Sequence, residues 1–88
     1  MTKLFLSHNA IRSLQGIEQF KHLTHLSLSY NKIEALEEFS RIRFPDKILA
    51  LSIKGNPIAL HPNIQSSLVE IFPRLIELDG AKIDEHLK

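Results

Sequence analysis

The 88-residue chain contains no cysteine and no tryptophan. The first absence removes disulfide bonds, thiolate metal ligands and a cysteine nucleophile together. No position offers an Asn-x-Ser/Thr acceptor, so an oxidised, secreted setting is disfavoured. Nothing approaches a membrane-spanning length, and the opening Met1-Thr2-Lys3-Leu4-Phe5-Leu6-Ser7-His8 lacks the long apolar run of a signal peptide. A cytoplasmic or nuclear home, without membrane contact, is expected. Charge of one sign is missing too: eleven Lys and Arg balance ten Asp and Glu, interspersed, for a formal net charge of +1. No net field draws such a chain to a polyanion, so nucleic acid is not favoured as a partner. Only three glycines and four prolines against 43% apolar residues exclude the disordered class. So short a chain leaves much of its surface in water, and its core is marginal unless repeated units share it or a partner covers an end.

Repetition is what the sequence does have. Aligned on asparagine, Leu4-Phe5-Leu6-Ser7-His8-Asn9-Ala10-Ile11 superposes on Leu26-Ser27-Leu28-Ser29-Tyr30-Asn31-Lys32-Ile33 and on Leu51-Ser52-Ile53-Lys54-Gly55-Asn56-Pro57-Ile58. A fourth copy, Leu75-Ile76-Glu77-Leu78-Asp79-Gly80, keeps the first part without the asparagine and reads as a terminus. The intervals Leu4 to Leu26, Leu51 and Leu78 are 22, 25 and 27 residues, within the span of a leucine-rich repeat. An amphipathic helix would space its apolar residues by three and four, whereas Leu26-Ser27-Leu28 alternates with period two.

Alternation sends the leucines to one face of a short strand and the intervening residues to the other, so stacked copies build a parallel sheet with one core face and one solvent face. Asn9, Asn31 and Asn56 follow where the chain turns away. Their amides carry donors and an acceptor suited to backbone groups of neighbouring coils, and a buried structural ladder is expected. The returning limbs carry Leu14, Ile17 and Phe20, then Leu36, Phe39, Ile42 and Phe44, at helical spacing ended by Pro45; these aromatics are expected in the core. Arg41, Arg43 and Lys47 read as a mildly basic, solvated face. Further on, Ile64, Leu68 and Ile71 share one face of a helix between Pro62 and Pro73.

Repeats of this form, followed by Gly55-Asn56-Pro57-Ile58, a helix, and Phe72-Pro73-Arg74-Leu75-Ile76-Glu77-Leu78-Asp79-Gly80, resemble the short intracellular leucine-rich repeats closed by a C-terminal cap motif. The resemblance spans nearly the whole chain. It implies an α/β solenoid: a right-handed coil with a short parallel sheet on the concave face, short helices or 3-10 turns on the convex face, and a helical cap. One domain over residues 1–88 is expected, with repeats at about 1–22, 23–47 and 48–74 and a terminal strand and cap over 75–88. The resemblance also implies docking without catalysis. Members serve ribonucleoprotein particles, mRNA export, phosphatase regulation and centrosomal or ciliary assemblies, and fold does not choose among these. Many caps carry Tyr-Arg near the start of the helix where this chain has Ile64-Gln65, so contacts of that pair do not carry over.

The solvent side of the strands follows from the alternation: Lys3, Phe5 and Ser7; His25, Ser27 and Ser29; Ala50, Ser52 and Lys54; Glu77 and Asp79. It reads as aromatic at its N-terminal side, where His8 and Tyr30 adjoin, and acidic at its C-terminal side. An aromatic exposed on a strand whose other face is core needs a reason, and interaction supplies one for Phe5 with Tyr30. The expected partner-binding set is Phe5, His8, His25, Tyr30, Lys54 and Asp79. The first repeat begins at Met1, so the edge of its strand pairs either with a longer array or with something else, a second copy included.

His8, His22, His25, His61 and His86 are dispersed, and no metal site or cofactor is expected. Ser7, Ser27, Ser29 and Ser52 have no base and orienting acid at motif spacing, so no catalytic residue is assigned. The reading that follows is a protein-binding module or adaptor. The alternative is an RNA-associated adaptor, which the resemblance alone motivates and which Glu77 and Asp79 oppose.

Overall fold

The structure, a computed structural model, describes residues 2–83. Each Leu-x-Leu segment forms a strand: β1 (Lys3–Phe5), β2 (His25–Ser27), β3 (Ala50–Ser52) and β4 (Glu77–Leu78), followed by β5 (Ala81–Lys82). They lie side by side in chain order. The first three pairings are parallel and the last, β4 to β5, is antiparallel. Leu4 pairs with Leu26, Leu26 with Leu51 and Leu51 with Leu78, the residues that the repeat alignment superposes. Backbone bonds carry the ladder past the strand ends: Leu6 N–H donates to Ser27 O, His8 to Ser29, Leu28 to Ser52 and Tyr30 to Lys54, at 2.7 to 2.9 Å.

Return limbs must reverse the chain in few residues, which favours the tighter, more extended 3-10 geometry over α. They form 3-10 turns at Ile17–Gln19, Leu36–Arg41, Pro45–Lys47 and Pro57–Leu60. Among the described residues, only the segment between Pro62 and Pro73 is α-helical: α1 (Ile64–Ile71). Inside the coil Leu26, Leu28, Ile33, Leu51, Ile53 and Ile58 are buried against Phe39, Ile42 and Ile48. Each such side chain contributes roughly 1.5–3 kcal/mol. α1 and the strand after it close the C-terminal end with Leu68, Phe72 and Leu75, all fully buried, and the Phe72 ring meets Phe39 edge-on at 5.9 Å. At the other end Leu4, Leu6, Ile11 and Phe20 are only half-buried.

Phe44 departs from expectation. It stands at the surface with the Arg43 guanidinium 5.7 Å and the Lys47 amine 4.9 Å from its ring centre. The turn that buries Phe39 ends at Ile42 in an extended conformation, which breaks the helical phase before Phe44 is reached. On the convex side Glu38 ties two coils together: its Oε1 accepts from Leu14 N–H at 2.8 Å and from Arg41 Nε at 3.1 Å. Arg41 also lies 3.7 Å from Glu18. Within the terminal region expected over 75–88, Ala81–Lys82 forms β5, and residues 84–88, His86 among them, lie outside the described residues.

Candidate functional site

The concave face is built by register. Lys3, His25, Ala50, Glu77 and Lys82 form one row, and Phe5, Ser27 and Ser52 the next. Small side chains in the middle and a large one at the edge make a shallow cleft of about 170 Å³ lined by Phe5, His25, Ser27, Ala50, Ser52 and Glu77. Phe5 is 70% exposed. The Ser7 and Ser27 hydroxyls bond each other at 2.7 Å, and Thr24 Oγ1 bonds His25 Nδ1 at 2.8 Å, which fixes the imidazole at the cleft.

Beside the cleft runs a column that sequence reasoning saw only in part. His8, Tyr30 and Gly55 occupy the same place in successive coils, and all are left-handed, with φ of 60°, 60° and 83°. That conformation is uncommon for a residue with a side chain. The His8 and Tyr30 rings stack at 4.6 Å and 17°. Tyr30 in turn lies over Gly55, where an added Cβ would sit 2.4 Å from Tyr30 Cδ1. Tyr30 is thus held on both faces and still 46% exposed. Its ring partner is His8 rather than Phe5.

The asparagines behave differently from one another. Asn31 Oδ1 accepts from Asn9 N–H and Ile11 N–H, both at 3.1 Å, and its Nδ2 donates to Leu6 O and Leu28 O, both at 2.9 Å. Asn56 Oδ1 accepts from Ile33 N–H at 3.1 Å, and its Nδ2 donates to Leu28 O and Ile53 O at 2.8 and 2.9 Å. Both are buried. Each reaches back to the preceding coil. The Asn9 side chain, in the first coil, donates to the Leu6 and Ser7 carbonyls of that same coil and is exposed, which corrects the expectation of a ladder buried throughout.

Asp79 also differs from expectation. Its Oδ1 accepts from Ile53 N–H at 2.7 Å and Lys54 N–H at 3.0 Å, the backward reach that asparagine makes in earlier coils. Its φ is 53° and that of Gly80 is 82°, so the Asp79-Gly80 pair is a turn whose side chain holds the loop presenting Lys54. With that carboxylate engaged, Glu77 is the acid facing the cleft, and Lys82 stands opposite it. The acidic side expected there is therefore much weaker. Among the described residues no cluster of His, Asp or Glu is arranged to hold a metal ion. No described helix is long and apolar enough to cross a membrane.

Stacked Leu-x-Leu strands, polar intervening residues and an amide ladder define a leucine-rich-repeat solenoid with a cap. The description "Leucine Rich repeats (2 copies)" matches residues 1–41, and the chain belongs to the leucine-rich-repeat proteins. It is 41% identical over 59 residues, 67% of its length, to a serine/threonine-protein kinase 11-interacting protein of Mus musculus, of which the match spans 6%. It is 28% identical over 91% of its length to a U2 small nuclear ribonucleoprotein A' of Eremothecium gossypii, spanning 34% of that protein. The chain thus spans a small part of these relatives. Its fold superposes on a chain of the Drosophila melanogaster SNF/U2A' complex with a TM-score of 0.87 at 26% identity, covering 99% of this chain and 51% of that one. Leucine-rich repeats are generally non-catalytic modules that bind proteins.

Proposed function

We propose that this chain is a non-catalytic docking module that seats another protein on its concave sheet face, in a nuclear or cytoplasmic assembly. The observation that carries the reading is Phe5, an aromatic 70% exposed at the rim of a cleft whose floor is small and polar. An anchor beside small residues is the usual form of an energetic centre in an interface. Tyr30 supplies a second anchor, pre-set by His8 and Gly55, so little side-chain freedom is lost when a partner covers it. His25 and Lys54 add polar contacts around these, and Asp79 holds the Lys54 loop in place.

The likeness to the U2 small nuclear ribonucleoprotein A' supports a second reading, an adaptor within a ribonucleoprotein complex. Affinity capture from nuclear and cytoplasmic extracts separates them, using the wild type and a Phe5→Ser/Tyr30→Ser variant that keeps its melting curve. Docking through this face predicts that bound proteins are lost from the double variant. Capture that is equal for both, or single-stranded RNA binding that weakens steeply with salt, would overturn it.

A further inference from the structure

The sequence intersperses its charges, but the fold regroups them. Backbone pairing continues one step before each strand: Thr24 N–H donates to Thr2 O, Leu49 N–H to Thr24 O and Ile76 N–H to Leu49 O, at 2.8 to 2.9 Å. Thr24, Leu49 and Ile76 therefore hold one place in successive coils, and the buried Leu23, Ile48 and Leu75 hold the place before it. One residue further back, His22, Lys47 and Arg74 form a column across the three coils, one basic side chain per coil and all exposed. Neighbouring coils are about 4.8 Å apart, so the column spans roughly 10 Å along the rim where the strands begin.

More cations gather around Lys47. Its Nζ donates to Lys21 O of the preceding coil at 3.4 Å and shares the Phe44 ring with the Arg43 guanidinium. Arg41, which the sequence groups with Arg43 and Lys47, turns instead to Glu18 and Glu38. Those are the only ion pairs among the described residues, so no described carboxylate pairs with Lys21, Arg43, Lys47 or Arg74. An anionic partner relieves the mutual repulsion of like charges held this close. Lys47 is already anchored by a carbonyl and a ring, which reduces the freedom it loses on contact.

We infer that this rim is a second interaction surface, and that it takes an acidic segment of another protein whose carboxylates lie along His22, Lys47 and Arg74. Charge complementarity selects the sign of the partner. Its class follows from what else stands on the rim. Phe44, the aromatic exposed here, already carries two cations on its ring, so a nucleic-acid base would have to displace one of them to stack. Asp46 and Glu70 lie near the column in sequence, and they oppose an unbroken run of phosphates more than carboxylates spaced along a peptide. Side chains on one side of an extended peptide recur about every 6.7 Å, so two or three acidic residues reach across the column. The surface precedes the row of Lys3 and His25 and does not include Phe5 or Tyr30. It stands whether or not the concave face seats a partner.

The probe is an N-acetylated peptide of alternating glutamate and serine, about ten residues long so that it overlaps the column at both ends. Its glutamine-serine counterpart is the control. Exposed ion pairs are individually weak, so a dissociation constant on the order of millimolar is expected. Titrated into the isotope-labelled chain, the glutamate peptide should shift the amide resonances of residues 21–23, 43–48 and 74–75 and leave those of Phe5 and Tyr30 in place. Raising salt from about 0.05 to about 0.5 M should weaken binding by about fivefold or more. Lys47→Glu and Arg74→Glu, made separately at exposed positions, should each weaken it by about fivefold or more. Phe5→Ser/Tyr30→Ser should leave it within about twofold, which separates this test from that of the docking face. No shift at about 10 mM peptide, or shifts spread evenly over every exposed lysine, would overturn the inference. So would a glutamine peptide that binds equally, charge-reversed chains that bind like the wild type, or oligouridylate of the same length that binds the rim more tightly.

Discussion

Replacing Asn31 with alanine isolates what the amide ladder contributes. The side chain serves four backbone groups at 3.1 Å or less. Two of them keep a partner after its loss: Leu6 O still accepts from Asn9 Nδ2 and Leu28 O from Asn56 Nδ2. The N–H groups of Asn9 and Ile11 do not. An orphaned, desolvated N–H costs about 1–3 kcal/mol, so Asn31→Ala should cost roughly 2–5 kcal/mol once partial access of water is allowed for. A domain of this size has only about 5–15 kcal/mol to lose, and each kcal/mol moves the midpoint by roughly 4–8 °C. The Tm should therefore fall by at least about 8 °C. The chain carries its own control. Asn9 holds the same place in its repeat, but its side chain is exposed and donates within its own coil, so Asn9→Ala should cost no more than about 1 kcal/mol. Urea unfolding followed by far-ultraviolet circular dichroism compares the two. Equal losses, or an Asn31→Ala chain that melts like the wild type, would refute the reasoning.

Gly55→Ala should cost about 2–4 kcal/mol, because a Cβ there meets the Tyr30 ring at 2.4 Å on a backbone with φ of 83°. Paired with Tyr30→Ser, the same change should cost roughly half as much, and a double-mutant cycle measures the difference. Gly80→Ala, at φ 82° with nothing within 4 Å, should show the backbone cost alone, about 1–2 kcal/mol. The Glu38 carboxyl is held below the usual glutamate range, chiefly by the Leu14 N–H and further by Ser13 and Arg41, against the opposing effect of partial burial. Its folded value is depressed, so its contribution is complete above the unfolded value and is lost as pH falls through the folded one. Glu38→Gln should flatten the acid limb of a stability-against-pH curve, and an unchanged limb would contradict this. Glu38→Ala should cost about 1–2 kcal/mol near neutral pH, read from urea midpoints.

The repeat was legible because its signal is written twice, in the alternation of Leu26-Ser27-Leu28 and in the asparagine that follows. The strand register coincides with the asparagine alignment residue for residue. α1 was legible from Ile64, Leu68 and Ile71 between two prolines. Phe44 was misread because helical spacing assumes one continuous phase, and the chain leaves that phase at Ile42. Asp79 making from the strand end the backward reach that asparagine makes in earlier coils, and Glu38 clamping Leu14, depend on partners some 24–26 residues away, with no local pattern to mark them. The left-handed column was half-visible. His8 and Tyr30 could be placed side by side, but their dependence on Gly55 is a matter of ångströms between coils.

The most direct test of the docking face is hydrogen exchange on this chain with and without a partner captured by it. The account predicts added protection at Leu4–Leu6, Leu26–Leu28 and Leu51–Ile53 and at the His8 and Tyr30 turns, with the convex turns at Leu36–Arg41 and Pro57–Leu60 unchanged. Protection confined to those convex turns, with the strands exchanging as in the free chain, would contradict it.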